Sequence, residues 1–247
     1  MAGKIILHLG LHKTATTSLQ DFLQAHARVL AGNGVRYVPR QRMRTDPKPL
    51  FLNRDQGRRA RVTLFIEEVE RDTLLLSDEN IIGSPSEIAE GALYPYARNR
   101  IESFCEENAG KEIIIFLTLR DPSRFLLSMY SEYLRHNEFA PFDKYVGSIN
   151  FRAFSYRKIF GWMRKLPSNT SVRFLPFEAA HGGGVVPITR ALIEEACGTE
   201  SCVDPETFPT SKSRTAYMWE ELELGAEIAR RAGPLVAQGF LNMLDNR

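Results

Sequence analysis

The sequence predicts an α/β protein, a three-layer sandwich in which helices flank a central, mainly parallel sheet of about five strands. Two observations predict it. Short apolar runs recur along the chain, and each run is followed by a turn and then by a helical pattern. The strongest run, Ile113–Leu119, is continuously apolar, which is typical of a strand buried on both faces of a parallel sheet.

The first strand–helix–strand unit begins close to the N-terminus. Ile5–Leu9 is predicted as a buried strand that opens into a glycine-containing turn. A helix is predicted from Thr16 to Leu30, where its apolar residues fit one face and a glycine-rich stretch then stops it. Val35–Val38 is predicted as the second strand, ended by Pro39.

The rest of the chain continues this alternation. Further strands are predicted at Leu74–Leu76, Ile113–Leu119 and Ser171–Leu175. Further helices are predicted at about Ala97–Glu107, Pro122–Arg135, Ile188–Ala196 and Ala216–Arg231. No repeat or linker-like tract interrupts the pattern, so we expect residues 1–247 to form one domain.

Composition argues against several classes of protein. Hydrophobic residues make up 43% of the chain and the net charge is only +2, so we expect no nucleic-acid partner. The cysteines, Cys105, Cys197 and Cys202, form no zinc-ligand pattern and are expected to be reduced thiols. Met1 leads into a short strand rather than a signal peptide, and no run approaches 18 apolar residues. We therefore expect a cytoplasmic protein without a membrane span.

The first strand leads into a run with the character of an anion-binding loop, Gly10-Leu11-His12-Lys13-Thr14-Ala15-Thr16-Thr17. Small residues let a backbone fold around an oxyanion, and the amides at a helix N-terminus point toward it. Lys13 adds a mobile positive charge. The run departs from the Walker pattern, because no glycine precedes the lysine and the lysine follows Gly10 by three residues. This departure weighs against an ATPase or a kinase.

A second motif follows the strongest strand. Arg120-Asp121-Pro122-Ser123-Arg124 stands at the carboxyl end of Ile113–Leu119, where α/β sheets bind ligands. Pro122 begins a helix that carries Ser128, eight residues after Arg120. A guanidinium and a hydroxyl suit a phosphomonoester.

Together the two motifs resemble those of the PAPS-dependent sulfotransferases (PAPS is 3′-phosphoadenosine 5′-phosphosulfate), in the bacterial and Golgi-type branch. Lys13-Thr14-Ala15-Thr16-Thr17 is similar to their 5′-phosphosulfate loop, although Ala15 stands where glycine is usual. Arg120 and Ser128 resemble their 3′-phosphate element. The resemblance implies a fold like that of P-loop nucleotide kinases, PAPS as the sulfuryl donor, 3′,5′-ADP as its product and no metal.

The resemblance also implies roles for individual residues. The donor would be bound at its 5′ end by the loop and at its 3′ phosphate by Arg120 and Ser128. A later segment around Lys212 and Arg214 stands where a basic loop closes over the nucleotide in relatives. The residues implied in donor binding are Gly10, Lys13, Thr14, Ala15, Thr16, Thr17, Arg120, Ser128, Lys212 and Arg214.

Sulfuryl transfer needs a charge stabiliser and a base. Lys13 is the expected stabiliser. Glu79 is the first candidate base, because it follows the strand Leu74–Leu76 and relatives that modify carbohydrates use a glutamate near the reacting sulfur. His12 is the rival, since its ordinary pKa suits proton transfer, and Asp78 is the neighbouring carboxylate.

One segment is strongly basic. Residues 36–61 hold nine Lys or Arg and two acids, a net charge of +7, which leaves −5 for the rest of the chain. Its prolines favour a loop rather than one long helix, and its position after the second strand suits part of an acceptor site for an anionic or polyhydroxylated molecule. A solvated surface loop is the alternative.

The sequence does not name the acceptor of the sulfuryl group. A glycan, a lipid headgroup, a small metabolite and a peptide tyrosine all fit the motifs. Two other functions remain open: a P-loop nucleotide-dependent kinase, which needs a Walker lysine and magnesium-binding acids, and a non-catalytic relic of the fold that binds polyanions.

Overall fold

The computed structural model describes residues 3–45, 73–83, 93–147, 149, 156–178, 184–199, 202–209 and 219–245. Five strands form one parallel sheet in the order β2-β3-β1-β4-β5. The strands are β1 (Lys4–Gly10), β2 (Val35–Val38), β3 (Thr73–Ser77), β4 (Glu112–Leu119) and β5 (Thr170–Pro176). The predicted α/β class and all five predicted strands are confirmed.

The described helices connect and flank these strands. They are α1 (Thr16–Ala25), α2 (Ala27–Gly32), α3 (Arg40–Thr45), α4 (Ala97–Glu107), α5 (Pro122–His136), α6 (Phe142–Gly147), α7 (Tyr156–Met163), α8 (Val185–Cys197), α9 (Trp219–Ala232) and α10 (Pro234–Asp245). Among the described helices, none is both long and apolar enough to cross a bilayer.

Alternate residues of the central strands enter two cores on opposite faces of the sheet. Ile5 and Leu7 of β1 belong to a core that also receives side chains from α4, α5 and α7. Ile6, between them, belongs to a second core with side chains from α1, α2 and α8. This alternation follows from the period of two in a strand and gives the three-layer sandwich. A third, smaller core packs α9 and α10 against α5.

One local prediction was wrong. The helix expected from Thr16 to Leu30 is divided at His26, which leaves helical geometry with φ −100° and ψ 11°. There the His26 ring packs on Phe22 and its Nδ1 lies 2.9 Å from the Phe22 carbonyl oxygen. The described part of the basic segment contains the end of β2 and the short helix α3, whose Met43 is buried in the core.

The topology brings three strand ends together. β1 is paired with β3 on one side and with β4 on the other, and the loop that follows β1 leads into α1. The chain passes from β1 to the edge strand β2, and from β3 across β1 to β4, so the direction of winding changes beside β1. Ligands of open α/β sheets bind at the carboxyl ends of strands at such a point.

Candidate active site

In the loop between β1 and α1, the backbone φ angle alternates in sign from one residue to the next. Lys13 has φ 69° and Ala15 has φ 57°, whereas Thr14 between them has a negative φ. Residues other than glycine avoid positive φ, at a cost of roughly 1–2 kcal/mol each. Alternation of right-handed and left-handed residues turns successive N–H groups into one concavity, and such a concavity binds anions. The predicted anion-binding loop therefore has a suitable backbone.

Gly10 is the tightest point of this loop. A Cβ at position 10 would lie 2.5 Å from Thr16 Oγ1 and 2.7 Å from Thr14 Oγ1. The Thr14 hydroxyl donates to the Leu11 carbonyl at 2.6 Å and lies 3.5 Å from the Thr16 hydroxyl. Both hydroxyls thus brace the loop from inside. Thr17, one residue further along α1, is half-buried.

His8 lies under the loop and ties the three central strands together. Its Nδ1 is 2.8 Å from Ser77 Oγ at the end of β3, and its Nε2 is 2.9 Å from Thr118 Oγ1 on β4. Burial lowers the pKa of His8 to about 3, so the imidazole is neutral at neutral pH. The side chain packs within the sheet and fixes the strand ends that carry the site.

Lys13 already has an anionic partner. Its Nζ lies 2.9 Å from Oε2 of Glu132 on α5, and Arg135 Nη1 contacts the same oxygen at 3.1 Å. Burial raises the pKa of Glu132, but its hydrogen bond to Lys13 and the positive charge there outweigh this, and the pKa is lowered to about 2. The carboxylate therefore holds the Lys13 side chain through an ion pair.

Arg120 joins the second motif to the loop. Its Nη1 donates to the Lys13 carbonyl at 2.5 Å, and its Nε lies 3.4 Å from Oε1 of Glu178. The other Glu178 oxygen accepts from the Asp121 N–H at 2.9 Å. The guanidinium also lies over the Phe177 ring, 5.4 Å from its centroid. Arg120 is therefore held beside the loop by contacts from the two residues that follow β5 and from the loop itself.

Helix α5 begins as the sequence predicts. The Asp121 carboxylate accepts from the N–H groups of Ser123 and Arg124, and Pro122 occupies the first helical position. Ser128 is buried on this helix. Glu132 follows Ser128 by four residues, so the two side chains share one helix face.

His12 is enclosed by hydrogen bonds. Its Nε2 lies 3.1 Å from Asn80 Oδ1 and its Nδ1 lies 2.9 Å from the Tyr94 hydroxyl. Because the Asn80 oxygen only accepts, Nε2 carries the hydrogen and Nδ1 accepts from Tyr94. Burial is the main reason that the pKa of His12 is lowered, although Glu79 opposes the effect. The lone pair that a general base would use is therefore engaged.

Glu79 lies in a 3-10 turn, Glu79–Ile81, at the end of β3. Its Oε2 accepts from Gln20 Nε2 at 3.4 Å, and the same nitrogen donates to the Ser77 carbonyl at 2.8 Å. Asp78 is buried, and its Oδ1 accepts from the Asn80 N–H at 3.0 Å, so this carboxylate oxygen caps the turn. Of the two carboxylates, Glu79 is the more exposed.

Most of the predicted site residues lie on three neighbouring strand ends and the helix after β4. Lys212, Arg214 and residues 46–61 of the basic segment lie outside the described residues. Sequence reasoning missed Glu132, Tyr94 and Asn80. The four-residue spacing from Ser128 is a signal for Glu132, whereas no sequence signal marks Tyr94 as a partner of His12.

Within the described part of the chain, no three His, Cys, Asp or Glu side chains cluster as a metal site requires. The expectation that the reaction needs no metal stays a prediction. No family model matches the chain, and no curated protein matches it either. The similarity to sulfotransferases therefore rests on the residues of the two motifs.

Proposed function

We propose that the protein transfers a sulfuryl group from PAPS to a hydroxyl or amine of an acceptor. One observation carries the proposal. Arg120 Nη1 donates to the Lys13 carbonyl, so two motifs separated by 107 residues in sequence meet in space. In the sulfotransferases that these motifs resemble, the two motifs bind the two ends of one donor molecule. That role requires the motifs to be neighbours in space.

The loop fits an anionic donor. Its backbone, with positive φ at Lys13 and Ala15, suits a concavity for oxyanions, and Gly10 lets the Thr14 and Thr16 hydroxyls approach the chain closely. Gly10, Lys13, Thr14, Ala15, Thr16 and Thr17 would hold the 5′ end. Arg120 and Ser128 would hold the 3′ phosphate, with Lys212 and Arg214 as further candidates. When bound, PAPS supplies the sulfuryl group, and 3′,5′-ADP leaves.

The chain's own residues supply the remaining chemistry. Lys13 stabilises negative charge on the leaving oxygen once its ammonium group turns from Glu132. Glu79 is the proposed base and takes the proton from the acceptor, whose oxygen or nitrogen then bonds to sulfur as the bond from sulfur to the 5′-phosphate oxygen breaks. His12 holds the loop through Tyr94 and Asn80 rather than taking the proton. A cytoplasmic location belongs to the same proposal.

The experiment is a comparison of nucleotides by calorimetry and thermal unfolding without magnesium. We expect 3′,5′-ADP to raise the melting temperature, because a ligand that binds only the folded state stabilises it. Arg120→Ala and Ser128→Ala should weaken binding of 3′,5′-ADP much more than binding of 5′-AMP, which lacks the 3′ phosphate. Arg98→Ala, at an exposed position of α4 outside both motifs, is the matched control.

Three results count against the proposal. Equal losses for both nucleotides would place Arg120 and Ser128 away from the 3′ phosphate. Stabilisation by ATP with magnesium, but not by 3′,5′-ADP, would favour a kinase. Binding of 3′,5′-ADP without transfer of labelled sulfate to any component of a cell extract would favour a non-catalytic relic.

A further inference from the structure

An open groove lies beside α1, on the side of β2. Its volume is about 570 Å³, within the range of roughly 300–1,000 Å³ that is usual for small-molecule sites. Helix α1, the end of β2 and helix α3 form its walls. The residues that characterise it are Gln20, Asp21, Gln24, Tyr37, Arg40 and Arg42.

The lining combines two kinds of recognition group. Arg40 and Arg42 outnumber the single carboxylate of Asp21, so the groove has a net positive charge. Guanidinium groups bind carboxylates and phosphates in a bidentate manner. The amides of Gln20 and Gln24 both donate and accept hydrogen bonds, as the recognition of hydroxyl groups requires.

Gln20 connects this groove to the candidate base. Its side chain is 4% exposed, and its Nε2 contacts the Ser77 carbonyl and Glu79. Its other polar atom, Oε1, is buried and has no hydrogen-bond partner among the described residues. A buried acceptor without a donor costs free energy, so the Gln20 amide gains a hydrogen bond if its side chain turns toward a ligand hydroxyl in the groove. One side chain thus touches the candidate base and lines the groove.

We propose that this groove binds the acceptor and that the acceptor is a polyhydroxylated anion, a sugar acid or a sugar phosphate. Its acidic group lies against Arg40 and Arg42, and its hydroxyls lie along the amides toward Gln20 and Glu79. The role as an acceptor site rests on the sulfuryl transfer proposed above, whereas the binding of sugar anions does not.

The test measures binding of three probes by ligand-observed NMR, each with and without saturating 3′,5′-ADP. The probes are D-glucuronate, D-glucose 6-phosphate and D-glucose, so that carboxylate, phosphate and neutral sugar are compared on one ring. We expect both anions to bind about tenfold more tightly than glucose, because hydrogen bonds between charged groups are stronger than those between neutral groups. A preference between the two anions identifies the acidic group.

The variants separate the groove from general charge. Arg40→Gln and Arg42→Gln should each weaken binding of the preferred anion about fivefold and leave glucose unchanged. Arg28→Gln removes an exposed arginine from α2, outside the groove, and is the matched control. Gln24→Glu places a negative charge on an exposed position of the lining, and should weaken anion binding even if the arginine variants fail to fold.

Several outcomes overturn the inference: equal binding of glucose and both anions, unchanged binding in all three groove variants, or an equal loss in Arg28→Gln. Failure of the proposed function has a different signature. If 3′,5′-ADP does not stabilise the protein while the anions still bind in the groove, sulfuryl transfer is wrong and the groove remains a sugar-anion site.

Discussion

The Nζ atom of Lys13 lies 2.9 Å from Oε2 of Glu132, so the cation of the predicted anion-binding loop already contacts a carboxylate. Under the proposed function, an anionic ligand of this loop competes with Glu132 for the lysine, and the carboxylate repels the phosphates of the nucleotide. On that proposal Glu132 opposes binding, and a molecule that brings less negative charge is less able to displace it.

The first prediction concerns this competition. Glu132→Gln should tighten binding of 3′,5′-ADP by about three- to tenfold in calorimetry, because it removes a competing and repelling charge. Glu138→Gln removes the same charge from an exposed position just after α5 and should have little effect. Weaker binding in Glu132→Gln would mean that the carboxylate positions Lys13 for the ligand rather than competing for it.

The second prediction separates the two candidate bases. Glu79→Gln should lower turnover by about 10²-fold or more while the affinity for 3′,5′-ADP stays nearly unchanged. His12→Ala should weaken nucleotide binding and thermal stability together with turnover, because His12 holds the loop. Tyr94→Phe removes the hydroxyl that contacts His12 Nδ1 and should reproduce part of that binding defect. An inactive His12→Ala with unchanged nucleotide binding, beside an active Glu79→Gln, would make His12 the base.

The third prediction is a pH dependence of stability. The folded pKa of His8 is about 3, against an ordinary value of 6.5, so the unfolded chain binds a proton in this interval that the folded chain does not. The contribution of His8 is complete above pH 6.5 and is lost as the pH falls, by up to about 1.4 kcal/mol per pH unit.

Urea unfolding at pH 7.5, 6.5 and 5.5 measures this slope. His8→Gln should be less stable than the natural sequence at pH 7.5, because the hydrogen-bonded bridge from Ser77 through His8 to Thr118 is altered. As the pH is lowered from 7.5 to 5.5, however, the free energy of unfolding of this variant should decrease less steeply. His136→Gln removes an exposed imidazole that lies 3.3 Å from Glu132, so it compares the loss of a histidine beside a carboxylate with the loss of one buried in the sheet. An identical slope in His8→Gln would show that other groups cause the acid sensitivity.

The fourth prediction concerns backbone strain at Ala15, which has φ 57° and ψ 28°. Ala15→Gly should raise the free energy of unfolding by about 0.5–1 kcal/mol, because glycine adopts this conformation without strain and loses only part of the gain to chain entropy. Ala191→Gly, inside α8, should instead lower it by about 0.5–1 kcal/mol. Destabilisation by both substitutions would show that the Ala15 methyl group contributes packing that outweighs the strain.

The sequence contained enough to predict the sheet and the position of the site. Continuous apolar runs such as Ile113–Leu119 give strands buried on both faces, and Asp121-Pro122 gives a helix start, because both depend on neighbours in the chain. The contacts within the site were less accessible. The pairing of Lys13 with Glu132 spans 119 residues and depends on how α5 lies against the loop, which local sequence does not specify.

His12 shows the same limit. Its position beside Lys13 makes it a candidate base, and only the tertiary structure places Tyr94 and Asn80 against its two ring nitrogens. In the basic segment, the prolines indicate turns, whereas the short helix α3 depends on the burial of Met43 in the core, which local sequence does not specify.

The contact between Arg120 and Lys13 also has a kinetic consequence. It joins residues 107 positions apart and requires β1 to lie beside β4, a parallel pairing of the non-local kind that forms slowly. We expect the sheet pairing to form in the transition state and the side-chain contact between Arg120 and Lys13 to form after it. A nucleotide that bridges the two motifs should then lower the logarithm of the unfolding rate in proportion to its binding free energy and leave the refolding rate nearly unchanged, so its lasting effect is to lengthen the lifetime of the native protein.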